Sequence, residues 1–214
     1  MENYYKNLDL LEKNYVYSKE MEHDACGVGA IVSTEGKKSR IVVEHGIEAL
    51  KAVWHRGAVD ADGKTGDGAG IHLEIPKDFF IEKIEVTGHI YDKSEICVGM
   101  IFLPRNDYSA QESCKTIVES ELTKNDFSIY GWRQVPVNPK ILGEKAFQTM
   151  PEIMQVLFKS NDKNLLDKEL ERKIYETRKK IENKAFQLSL DNFYICSISS
   201  KSIIYKGLYL AEAI

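Results

Sequence analysis

The residue in this chain best suited to chemistry is Cys26, one of four cysteines at 26, 97, 114 and 196. It follows His23-Asp24-Ala25 and directly precedes Gly27-Val28-Gly29. A thiol among small residues at the mouth of a strand can be approached by a substrate, and a thiolate is intrinsically a good nucleophile. The local sequence leaves two readings open: a nucleophile, or the small buried hydrophobe that a free cysteine most often is. Cys97, Cys114 and Cys196 fall inside apolar runs or a helical stripe and read as core residues. No C-x-x-C pair or short cysteine spacing occurs, which argues against a disulfide framework or a zinc knuckle and points to a reducing compartment.

The stretch from His55 to Gly70, HRGAVDADGKTGDGAG, is the most unusual in composition. Gly66-x-Gly68-x-Gly70 invites comparison with a phosphate-binding loop. The order is wrong for that role, because this run leaves a helix and enters a strand, whereas phosphate cradling needs strand, loop and then helix N-terminus. A tight loop requiring positive φ at several glycines is the plainer expectation. His45, His55, His72 and His89 are scattered without metal-ligand spacing, so no metal is expected.

Elements on either side must hold these residues. Gly27 to Ser33 reads as a short buried strand, and Val43, Ile47, Leu50 and Trp54 mark an amphipathic helix from Arg40 to Trp54. Ile71, Leu73 and Ile75 alternate with polar residues as a half-buried strand ending at Pro76. Ile96 to Leu103 is a continuous apolar run of strand length. Ala110, Cys114, Ile117, Val118 and Leu122 give a helix with Ser109 as its N-cap. Phe127–Val137 and Pro151–Lys159 read as strands, and a charged helix spans about 164–188, its charges a solvated face. Phe193–Ile198 and Ile203–Tyr205 flank Ser199–Ser202 as a hairpin. Residues 1–25 show no periodicity and read as a leader.

In a chain of 214 residues, 43% hydrophobic and 29% charged residues rule out disorder or low complexity. The net charge of −4 offers no basic excess for a phosphate backbone, so nucleic acid is not an expected partner. No apolar run is long enough for a signal peptide or a membrane span, so a cytoplasmic chain with no membrane contact is expected. Strands mixed with helix pairs indicate a layered α+β or α/β domain.

Taken together, Cys26-Gly27-Val28-Gly29, His55-Arg56-Gly57-Ala58 and Thr65-Gly66-Asp67-Gly68-Ala69-Gly70-Ile71 resemble the start of a class II glutamine amidotransferase domain. Within that family the pattern is similar to the N-terminal part of bacterial glutamate synthase large subunits. Gly46–Trp54 fits the same helix, and Ser199-Ser200 with Tyr205-Lys206-Gly207 fits a later hairpin. The resemblance implies an N-terminal-nucleophile hydrolase fold, α+β in four αββα layers, with two antiparallel sheets between helix layers. It implies removal of residues 1–25 and a partial amidotransferase domain over 26–214.

On that resemblance Cys26 is the nucleophile and its own freed α-amine is the base. Such an amine titrates near ~7.7–8.0, close to working pH, so its neutral form can take the thiol proton. Arg56 would be a substrate-side or supporting cation, and Gly57 and Asp67 would support the loop. Glutamine is the implied substrate, and the released ammonia would aminate 2-oxoglutarate elsewhere. The implied partners are the rest of a synthase chain and an electron-donating small subunit or ferredoxin. Flavin mononucleotide and an iron–sulfur cluster are implied for that remainder, and no cofactor for these residues.

The family also uses an Asn-Gly pair for the oxyanion and an arginine segment for the substrate carboxylate, both after the hairpin. This chain contains no Asn-Gly dipeptide, so the domain is expected to be cut short at its C-terminus and inactive by itself. Two other expectations stay open: a stand-alone class II amidotransferase subunit lending ammonia to another partner, and a non-catalytic fragment that keeps the fold.

Overall fold

The computed structural model describes residues 2–15, 18, 27–53, 57–89, 96–165 and 167–214. Its elements run α1 (Glu2–Asn14), α2 (Arg40–Ala52), β1 (Ala69–Glu74), α3 (Lys77–Glu85), β2 (Cys97–Leu103), α4 (Tyr108–Lys124), β3 (Phe127–Gln134), α5 (Glu144–Gln148), β4 (Glu152–Ser160), α6 (Asp167–Gln187), β5 (Tyr194–Ser199) and β6 (Ser202–Gly207). Short 3-10 turns lie at Pro139–Ile141 and Ala211–Ala213.

β2 is apolar without interruption because both of its faces are buried. Cys97, Ile101 and Leu103 face a core shared with Cys114, Val118 and Leu122 of α4 and with Ile174 and Ile181 of α6. Val98 and Met100 face a second core with Ile75, Phe80, Ile84 and Ile203. The strand sits inside an antiparallel sheet of order β3-β4-β2-β5, with Met100 opposite Gln155 on one side and Ser197 on the other. A separate antiparallel pair, β1-β6, sets Ile71 opposite Tyr205.

α4 and α6 cover one face of the larger sheet, the β1-β6 pair packs across the other, and α2 rests against β1. This is the helix–sheet–sheet–helix order that the resemblance implies. The stripe on α6 follows the helical period, with Leu170, Ile174, Thr177, Ile181 and Ala185 buried.

Several local expectations need correction. Residues 27–33 form no strand; Val28 and Val32 are 89% and 80% exposed, so this β-branched run has no pairing partner among the described residues. α1 occupies much of the expected leader, in which no periodicity was read, and its Tyr5 and Leu10 are exposed. α3 was not signalled, because nine residues behind Pro76 are too few to establish a period. The N-cap of α4 is Asp107, whose carboxylate accepts from Ala110 N at 2.9 Å, while Ser109 lies within the helix.

β5 and β6 are consecutive but do not pair as a hairpin. β5 joins β2, and β6 crosses to β1. The Glu171 carboxylate on α6 accepts from Ser200 N at 2.7 Å and from Ser199 Oγ at 2.9 Å. Ser199 Oγ in turn accepts from Lys201 N, and Lys201 O accepts from Ile75 N. The corner is therefore held by α6 and the end of β1, and the chain turns out of the sheet there.

Candidate functional site

Cys26 and Arg56 lie outside the described residues, so the site is built from their neighbours. Gly27, next after Cys26, and Gly57, next after Arg56, line one cleft of about 870 Å³. The glycine-rich loop from Gly57 to Gly68 supplies part of its lining, and Lys206 to Glu212 supplies another part. The fold thus closes Gly27 and Gly57, thirty positions apart in sequence, around one cavity.

The loop is a miniature hairpin. Val59 and Gly66 form an antiparallel bridge, Asp60 N donates to Thr65 O at 2.8 Å, and Gly63 N donates to Asp60 O at 2.9 Å. Asp67 closes its base twice: the carboxylate accepts from Ala58 N at 2.8 Å, and Asp67 N donates to Ala58 O at 3.3 Å. The structure therefore places Asp67 in loop closure beside Gly57.

Among the described residues of the loop, Gly63 at φ 69° and Gly68 at φ 118° take the left-handed region. Positive φ was expected at several glycines, and for Gly66 and Gly70 the requirement has a different cause. A Cβ on Gly70 would lie 2.7 Å from Lys206 Cβ and 2.8 Å from Tyr205 O; one on Gly66 would lie 3.0 Å from Tyr209 O. These glycines let the loop and β1 run flush against β6 and the segment after it. Gly207 plays the same part for the Tyr209 ring, which occupies the space a side chain there would take.

The cleft lining includes the acidic Asp67 and Glu212 and the lysine Lys206. The Lys206 ammonium donates to Tyr194 OH at 2.7 Å and lies 4.5 Å from the centroid of that ring. Burial raises the Tyr209 phenol above its ordinary pKa. Sequence reasoning did not single out Tyr194 or Tyr209, because no spacing links them to residues 57–70; the two-sheet crossover alone brings them there. The remaining cysteines are core: Cys97 and Cys114 are fully buried and Cys196 nearly so. Burial pushes the Cys114 thiol up to about 11 and raises that of Cys196.

Among the described residues, no group of three or more His, Cys, Asp or Glu side chains is placed to hold a metal ion. No helix among them is long and apolar enough to cross a membrane.

The model of the class II glutamine amidotransferases matches residues 26–214. This chain belongs to that family. The amidotransferase match begins at Cys26 itself and covers the cleft, both sheets and the helices from α2 onwards. The chain is 54% identical over 196 residues to the glutamate synthase [NADPH] large chain of Azospirillum brasilense, covering 92% of this chain and 13% of that protein. It is 40% identical over 195 residues to ferredoxin-dependent glutamate synthase 1 of Arabidopsis thaliana, covering 90% of this chain and 12% of the relative. The spinach ferredoxin-dependent enzyme is 36% identical over 196 residues, again with 90% of this chain and 12% of the relative covered. The chain thus spans about an eighth of the length of the curated relatives it matches.

Proposed function

We propose that this amidotransferase domain hydrolyses glutamine as the ammonia-producing part of a glutamate synthase. The observation that carries the reading is the coincidence at Cys26: the family match starts there, and the next residue, Gly27, lines the cleft. With residues 1–25 removed, Cys26 has both a thiol and a free α-amine, so nucleophile and base arrive on one residue. The amine takes the thiol proton and the sulfur attacks the side-chain amide carbon of glutamine. As the tetrahedral intermediate collapses, the C–N bond breaks and nitrogen leaves with that proton as ammonia. Water then attacks the thioester carbon, releasing glutamate and regenerating the thiol.

Arg56 acts as a substrate-side or supporting cation, and Gly57 and Asp67 shape the cleft wall. The ammonia is passed to 2-oxoglutarate at a site elsewhere in the longer protein, where flavin mononucleotide and an iron–sulfur cluster supply the electrons. Identity of 54% to an NADPH-type chain against 40% to a ferredoxin-dependent one favours an electron-donating small subunit over ferredoxin. A cytoplasmic location accords with cysteines that the fold uses as core residues, Cys97, Cys114 and Cys196.

The test is ammonia release from glutamine by the full protein and its Cys26→Ser variant, beside intact-mass measurement. Loss of residues 1–25 and a fall in rate of about 10³-fold or more are expected for removal of a covalent nucleophile. A mature protein that still carries Met1 and hydrolyses glutamine would sink the amine-as-base mechanism. Unchanged turnover in Cys26→Ser would sink the whole reading.

A further inference from the structure

The glycine-rich loop is fastened from outside by the long connection between β3 and β4. That connection carries Gly143 and α5, about 80 positions away in sequence. The Asp62 carboxylate accepts from Lys64 N at 2.9 Å and Thr65 N at 2.7 Å, and it lies against Gly143 at the start of α5. Thr65, only 4% exposed, donates through Oγ1 to Asp62 Oδ2 at 2.6 Å, and the same oxygen accepts from Ala146 N at 3.4 Å. Lys145 pairs with Asp60 across the same junction.

One of the orphan N–H groups of α5, that of Ala146, is thus capped by a side chain of the loop, and not by a residue preceding the helix. Gly143 is where the two segments touch most closely: a Cβ there would lie 2.6 Å from Thr65 N and overlap the Asp62 carboxylate. The bonds at one end of the hairpin complement those of Asp67 at the other. Between them, Ala58, Val59 and Gly66 form part of the cleft lining.

We propose that the β3–β4 connection positions the wall of the glutamine cleft, with Thr65 and Asp62 as the positioning residues that lock the loop onto α5. The role in glutamine handling rests on the function proposed above; the lock itself does not. Neither residue touches the reacting atoms. Without the Thr65 hydroxyl the hairpin keeps its base at Asp67 but swings at its tip, and the cleft spends less time in the shape that accepts substrate.

The experiment compares Thr65→Val, which keeps the shape and removes the hydroxyl, with Thr65→Ser, which restores it. Both are made in the full chain, with Lys145→Met as a milder variant should Thr65→Val fail to fold. Amide hydrogen exchange over residues 57–68 is expected to accelerate about tenfold in Thr65→Val, the factor corresponding to loss of one buried hydrogen bond, with β2 and α4 unchanged. The glutamine KM should rise by a similar factor with a smaller change in kcat, and Thr65→Ser should return both readouts towards the parent. Lys145→Met, at an exposed pair, should accelerate loop exchange about twofold to threefold.

Unchanged loop exchange in Thr65→Val, or in Lys145→Met if that variant alone folds, overturns the lock. Faster exchange with an unchanged KM overturns the positioning role. A parent protein that releases no ammonia from glutamine removes the functional reading and the positioning role with it, while the exchange comparison still decides the lock.

Discussion

Selective labelling among the cysteines follows from the burial of Cys97, Cys114 and Cys196. Cys114 is fully buried on α4 and its thiol is pushed up to about 11, so at pH 8 only about one part in a thousand is thiolate. An accessible thiol at the ordinary value of about 8.5 is roughly one quarter ionised at that pH. The ratio of thiolate is therefore about 200-fold before access is counted, and a side chain with no exposed surface adds to it. Cys196 is raised for the same reason, and Cys97 is equally buried. Substoichiometric iodoacetamide under native conditions at pH 8, quenched early and mapped by peptide mass, should place nearly all label on Cys26. A glutamine-like chloroketone should sharpen the preference if the cleft accepts glutamine. Equal labelling of Cys26 and Cys114 in folded protein would refute both the burial argument and the choice of nucleophile.

Two further outcomes test the loop and the strand pair behind it. Gly70→Ala forces a Cβ to 2.7 Å from Lys206 Cβ and 2.8 Å from Tyr205 O, and overpacking against backbone costs about 1–3 kcal/mol. In a domain of this size that lowers Tm by about 2–12 °C, whereas Gly29→Ala, with nothing within 4 Å of its Cβ, should change stability by less than about 0.5 kcal/mol. Equal Tm values for the two variants would contradict the close approach of β1 and β6. The second outcome concerns acid. The Lys145 hydrogen bond and then the Ala61 N–H hold Asp60 below the usual carboxylate range, and the Thr65 hydroxyl and backbone N–H do the same for Asp62. Both folded pKa values lie below the unfolded ones, so their contribution is complete above about pH 4 and is lost as pH falls further. Protection factors for the amides of residues 58–67 should stay level from pH 5 to 8 and drop below about pH 4, ahead of those in β2. Protection that falls between pH 8 and 6 instead would assign the loop's stability to other groups.

Much of the fold was legible because period and run length report burial directly. The apolar run of Ile96–Leu103 meant a strand covered on both faces, and Cys97 and Val98 do face different cores. The stripes of α4 and α6 were visible for the same reason, since each covers one side of the four-stranded sheet. Cap choice was less legible: Asp107 and Ser109 are both good caps, and only the chain's exit from β2 decides between them. The glycines of 63–70 were legible as special, but not why each was needed. Backbone conformation explains Gly63 and Gly68, whereas Gly66 and Gly70 answer to residues more than 130 positions away.

What the sequence by itself determined was the six strands, the helices α2, α4 and α6, and the order of motifs that marks the family, because these depend on neighbours two to four residues away and on fixed spacing. Pairing was a tertiary decision. Residues 27–33 have the composition of a strand yet stay unpaired among the described residues. β5 and β6 have the composition of a hairpin yet part into different sheets, because Glu171 of α6 takes the hydrogen bonds of the turn. The cleft is likewise a product of that crossover. Only when β6 leaves the larger sheet to join β1 do Lys206 and Tyr209 come to face the loop at Gly57 and Asp67, and no local period can announce a contact made by a strand changing partners.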